Sequence, residues 1–146
     1  MVSQHRRKVR GFTLVELLVV IVVLAVLAAI VVPKFVGAGE RSREAALKSD
    51  LKVLRNAVAL FFTDCKSYPK NLNDLAATSA PAKGKDSSGT DKDITATDWN
   101  GPYVEKVPTD PISGAAFNYS VTSPTVGKVW SSATGTARDG TNYSDW

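Results

Sequence analysis

Glu16 is the residue best placed to do chemistry, because it is the only charge between Phe12 and Val32. That stretch is about 21 residues long, enough for a helix to cross the hydrocarbon of a bilayer. A carboxylate inside such a span costs roughly 2.5–3.5 kcal/mol on insertion scales and marks a functional site by default. It needs a cation, and the residues just upstream indicate one. Arg6, Arg7, Lys8 and Arg10 form a basic block with no acid, followed by Gly11. A secretory signal would be cut after its apolar region at a small-residue site, and no Ala-x-Ala site set in a loop follows this run. Cleavage before the run, between Gly11 and Phe12, suits a glycine whose bare backbone is open to a protease at the membrane surface. Such a cut leaves an ammonium on Phe12. Glu16 lies four residues further on, about 6 Å along a helix axis. Within one chain it would partly neutralise that amine and the positive end of the helix dipole. Between chains it would pair with the amine of a neighbour shifted by one or two turns. The second arrangement also fixes the axial register of parallel helices, which the interchangeable aliphatics from Leu17 to Val23 cannot do.

Other chemistry is sparsely represented. The only histidine, His5, lies in the basic leader, and the single cysteine, Cys65, rules out an intrachain disulfide. No Ser/His/Asp set, phosphate-binding loop or paired Cys/His cluster is present. Catalysis would rest on carboxylates, and none are patterned for it, so a structural protein is expected rather than an enzyme. The formal charge of +4 (18 Lys+Arg against 14 Asp+Glu) is carried entirely by the four basic leader residues. The remainder is balanced, so the high isoelectric point is no nucleic-acid footprint. Cations ahead of a membrane span hold that end in the cytoplasm, which places everything after Pro33 on the far side.

These groups have to be positioned by a long helix and a small head. The run from Phe12 is apolar on all faces, so it is surrounded by lipid or by like helices. Pro33 lacks an amide hydrogen and leaves the Ala29 carbonyl without its helical partner, so a kink or local unwinding is expected there, with Gly37 and Gly39 adding compliance. From Glu40 to Cys65, Leu47, Leu51, Leu54, Val58 and Phe61 recur at helical spacing on one face, while Glu40/Arg43 and Glu44/Lys48 are spaced for pairing on the helix surface. A helix from Phe12 to Cys65 would be roughly 80 Å long. Tyr68-Pro69 is expected to stop it, and Asn71 or Asn73 to cap a short turn through Leu72 and Leu75. Ala76 to Asp98 is rich in Ser, Thr, Gly, Lys and Asp and reads as an exposed, mobile loop. The prolines between Val104 and Pro111 forbid a central strand. Ala115–Val121 and Gly127–Ser131 are short β-prone runs joined by a turn near Pro124. Trp99, Tyr103, Phe117, Tyr119, Trp130 and Trp146 are expected to form the core against Leu51, Leu54, Val58 and Phe62. The organisation is thus a leader at 1–11, a transmembrane helix at 12–33, its amphipathic extension at 34–66, a loop region at 67–98 and a β-rich head at 99–146. Cys65 reads as a small core or boundary residue.

The stretch Gly11-Phe12-Thr13-Leu14-Val15-Glu16 and the aliphatics behind it resemble the processing site of type IV prepilins and type II secretion prepseudopilins. Trp99-Asn100-Gly101-Pro102-Tyr103, Lys106-Val107-Pro108, Asp110-Pro111 and the terminal Trp146 are similar to the head of the major pseudopilins. The resemblance implies an α+β fold in which the long N-terminal helix packs on a small C-terminal antiparallel sheet. It implies removal of residues 1–11 by a prepilin peptidase, which also methylates the new amine of Phe12. It further implies partners: further copies of the chain in a helical filament, an inner-membrane assembly platform, minor pilins or pseudopilins, and lipid. The precursor would sit in the cytoplasmic membrane with its head outside the cytoplasm, and the filament would be periplasmic or extracellular. A secretion pseudopilus is favoured over a surface pilus for adhesion, motility or DNA uptake; a tethered domain that never polymerises is the reading from another class. The resembled family also knits its C-terminal loops with calcium. That implies Asp139 and Asp145 as ligands here, with Asn142 or Ser144. The family's Ser-x-Gly-Ala-Asp-Gly stretch, however, reads Ser131-Ser132-Ala133-Thr134-Gly135-Thr136 and lacks its acid.

Overall fold

A computed structural model describes residues 12–146, without the side chains of residues 32–36. The leader and Gly11 therefore lie outside the described residues. The chain divides into two compact units, Met1–Glu40 and Arg41–Trp146. The fold is α+β: a helix α1 (Leu14–Cys65), a short 3-10 helix (Leu72–Ala76), two-residue and three-residue strands, and a last 3-10 turn (Tyr143–Asp145).

In the first unit, α1 opens at Thr13, whose carbonyl accepts the first helical bond from the Leu17 amide at 3.2 Å. Leu14–Val31 is long and apolar enough to cross a membrane, and none of it is buried. The helix continues without interruption through Pro33, Gly37 and Gly39.

In the second unit, the predicted stripe is the core. Leu47, Leu51, Leu54, Val58 and Phe61 are buried, joined by Ala57 and Cys65. They pack against Leu72, Leu75, Val104, Phe117 and Val129, with Trp99, Tyr103, Tyr119 and Trp146 partly buried around them. Two expected core members differ. Phe62 is 36% exposed, because it stands one residue, about 100° of helix, beyond the stripe; it lies 4.6 Å from the Tyr68 ring. Trp130 is partly buried outside that cluster, with the Lys128 ammonium 5.6 Å from its ring. α1 stops ahead of Tyr68-Pro69, as expected. It ends at Cys65, where Lys66 takes a left-handed backbone (φ 50°) and its ammonium donates to the Thr63 carbonyl at 2.7 Å, satisfying a carbonyl that the helix end leaves open.

Asn71 caps the 3-10 helix in a capping box: its side chain accepts from the Asp74 amide, and the Asp74 carboxylate accepts from the Asn71 amide. The expectation of a mobile loop over Ala76–Asp98 needs correction. Strands β1 (Lys83–Lys85) and β2 (Asp91–Asp93) form an antiparallel hairpin there. Its turn is built by Asp86, whose Oδ1 accepts from the Ser88 amide and hydroxyl and from the Thr90 amide. Charge pairs replace apolar alternation: Lys85 and Lys70 donate to Asp91 at 2.6 and 3.0 Å. These two ammonium donors hold the Asp91 carboxyl down at about 2. The hairpin docks edge-on through mutual backbone bonds between Tyr68 and Lys85, both 2.7 Å. Gly84 permits that approach, since a Cβ there would fall 2.6 Å from Ser67 Oγ and 2.7 Å from the Tyr68 carbonyl. Strands β3 (Asn118–Tyr119) and β4 (Val129–Trp130) pair antiparallel within the two predicted β-prone runs, in a second two-stranded sheet. Arg55 ties β4 to α1, donating twice to the Val129 carbonyl.

Candidate functional site

At the start of α1 the geometry is a reciprocal cap. Glu16 Oε2 accepts from the Thr13 amide and hydroxyl, both at 2.9 Å. The Glu16 amide donates back to Thr13 Oγ1 at 3.2 Å. This is the S/T-x-x-E capping box, which satisfies donors orphaned at a helix start. The Thr13-Leu14-Val15-Glu16 spacing spells it out, and a charge-only reading of Glu16 passes over it. The cap is incomplete as a solution for the carboxylate: among the described residues its partners are short-range and neutral, and the bonds go to one oxygen. Phe12, two residues from the helix, is 78% exposed, and every large aliphatic from Leu14 to Val31 is exposed on the isolated chain. Among the described residues, the segment thus presents a charge with no cation beside it, inside an uncovered apolar surface. Gly11, one side of the expected cleavage site, lies outside the described residues.

The residues implied as calcium ligands lie in a loop pinned to α1. Asp139 Oδ1 accepts from the Thr141 amide and hydroxyl at 3.0 and 2.5 Å, and its Oδ2 faces the Lys48 ammonium at 3.5 Å. Asp145 Oδ2 accepts from Asn142 Nδ2 at 3.1 Å. Thr141, followed by Lys48, holds the Asp139 carboxyl below its usual range. This donor set does not fit calcium, which takes six to eight oxygens, several charged. The oxygens are turned to hydrogen-bond donors and an ammonium, and position 135 is Gly where the resembled family has an acid. Among the described residues no group of three or more His, Cys, Asp or Glu is placed to hold a metal. Cys65 is buried, and burial pushes its thiol up, as suits a packing residue.

Sequence comparison covers both units. The prokaryotic N-terminal methylation motif matches residues 6–32, and type II secretion system protein G matches residues 34–142. The chain belongs to the type II secretion system protein G family. Among its relatives, the core protein G of Pseudomonas aeruginosa is 32% identical over 108 residues, covering 73% of this chain and 70% of the relative. That of Klebsiella pneumoniae is 34% identical over 116 residues, covering 79% and 75%. The type IV major pilin protein PilA of Myxococcus xanthus is 36% identical over 83 residues, which span 57% of this chain and 37% of the pilin. No solved structure matches the chain significantly.

The structure shows one residue that sequence reasoning passed over as chemistry. Asp110, in the Pro108-Thr109-Asp110-Pro111 run, is fully buried. Its Oδ2 accepts from the Ser131 hydroxyl at 2.5 Å and the Ser132 amide at 3.0 Å; its Oδ1 accepts from the Ile112 and Ser113 amides at 2.8 and 3.2 Å. Burial raises the carboxyl, but these four donors outweigh it and the net shift is downward. Asp110 is thus the knot between the proline-rich run and the end of β4.

Proposed function

We propose that the chain is a structural subunit, without catalytic activity, of a helical filament of a type II secretion system, anchored in the cytoplasmic membrane until assembly. Its leader is removed between Gly11 and Phe12 by a peptidase that methylates the new amine, with the head on the far side of the membrane. Further copies of this chain, minor pseudopilins and an inner-membrane platform are its partners. One observation carries the proposal: among the described residues, Glu16 sits in an uncovered apolar helix with only the neutral, short-range donors of Thr13. A neighbour's Phe12 ammonium supplies the missing cation and sets the register. Pro33 and Gly37 give the helix a point of compliance during assembly.

Glu16→Gln is the discriminating variant, because glutamine still serves in a capping box but carries no charge. Membrane insertion and processing are expected to persist while filaments vanish on electron microscopy. Normal filaments from the variant would sink the proposal. The match to the M. xanthus pilin favours a second reading, a surface pilus. Long extracellular fibres of the chain at native expression would decide for it.

A further inference from the structure

Four residues of the head close a ring. The Trp146 indole N–H donates to Thr141 Oγ1 at 2.6 Å. Thr141 Oγ1 donates to Asp139 Oδ1 at 2.5 Å. Asp139 Oδ2 pairs with the Lys48 ammonium at 3.5 Å, and that ammonium stands 4.0 Å from the centre of the Trp146 ring. One helical turn earlier, Glu44 Oε1 accepts from the Arg138 amide at 3.0 Å and the Tyr143 hydroxyl at 3.1 Å. Glu44 and Lys48, spaced for a pair on the helix surface, thus both reach the tail. Residues four apart lie on one helix face, so the two latches act on the same side of α1. Within the tail, Ala137 and Thr141 close the loop by a 2.7 Å backbone bond, and Gly140 takes a left-handed turn (φ 85°) that favours glycine.

We propose that Lys48 is the cation that fastens the C-terminal segment to α1, and that this segment folds without a divalent metal. The ammonium neutralises Asp139 and simultaneously uses the Trp146 face, a cation–π site that a strongly hydrated dication does not match. A positive charge beside Asp139 also repels an incoming dication. The tail of this chain is therefore insensitive to calcium, and Lys48 is the cationic one of the two helix side chains, with Glu44, that hold Asp139 and its loop to α1.

The test is hydrogen exchange read by mass spectrometry on the full mature chain in detergent micelles, in chelator and in millimolar calcium. Wild-type peptides from 135–146 are expected to exchange at the same rate in both. Lys48→Met keeps the length of the side chain and removes its charge. It is expected to speed exchange in 135–146 by roughly five- to tenfold, the sum of an exposed ion pair and an exposed cation–π contact, while the helix over 47–65 stays protected. Lys48→Arg retains the charge and stacks on aromatic faces, so it should restore protection. Slower wild-type exchange in calcium than in chelator would overturn the proposal, as would a Lys48→Met tail that exchanges like wild type.

Discussion

Asp110 and Glu16 are both acids in apolar surroundings, and the chain treats them oppositely. Asp110 is sealed inside the head with four donors and needs nothing from outside. Glu16 has two neutral donors from Thr13 and lies on a helix whose aliphatic surface is bare. The head therefore satisfies its acid as a single chain, whereas the exposed aliphatic helix leaves its own to an environment of lipid or like helices. A buried charge whose hydrogen bonds are all met locally holds a fold together. One whose charge is left unanswered directs association.

The contrast is broken most strongly at Asp110. Asp110→Ala leaves three amides and a hydroxyl without their acceptor, and should cost about 3 kcal/mol in chemical denaturation of the head, with membrane insertion unchanged. The pH dependence has the matching sign. The folded carboxyl lies below its unfolded value near 4, so its contribution is full above that pH and is lost as the pH falls below it. Asp50 opposes it: burial, then the Asp110 charge, raises its carboxyl, so Asp50 penalises the fold above the same pH. Acid unfolding of the wild type should accordingly be steeper than that of Asp110→Ala. A middle-sized effect is expected at Gly84. Alanine there would push β1 off the Ser67–Tyr68 backbone, costing roughly 1–3 kcal/mol and releasing the hairpin to protease before the core melts. The smallest effect is at Asn71, where alanine removes one arm of a capping box and should cost about 1 kcal/mol by thermal denaturation. None of these three changes should affect Glu16-dependent assembly in chains that fold.

The sequence is most readable where periodicity and caps speak. The stripe from Leu47 to Phe61, the end of α1 at Cys65, the cap at Asn71 and the two β-prone runs are all visible in it. The hairpin over 83–93 is not, because charge pairs and an Asx turn hold it, and a stretch of Lys, Asp, Ser and Gly has the composition of a solvated loop. Asp110 is visible as part of a proline-rich run but its burial is not, since its donors come from Ser131 and Ser132, far along the chain. At the candidate site the charge of Glu16 stands out, while the Thr13 cap, written in the same four residues, is hidden by attention to that charge. The tail acids illustrate the limit of spacing: they lie near each other in sequence, but Lys48, 91 residues from Asp139, decides what Asp139 pairs with.

The pairing between chains is tested most directly by a zero-length carbodiimide cross-link on assembled filaments, with the covalent oligomers digested and sequenced by mass spectrometry. A bond between the Glu16 carboxyl and the Phe12 amine is expected in the dimer band, absent from Glu16→Gln. Oligomers in which Glu16 is unmodified and the Phe12 amine is free or linked elsewhere would contradict it.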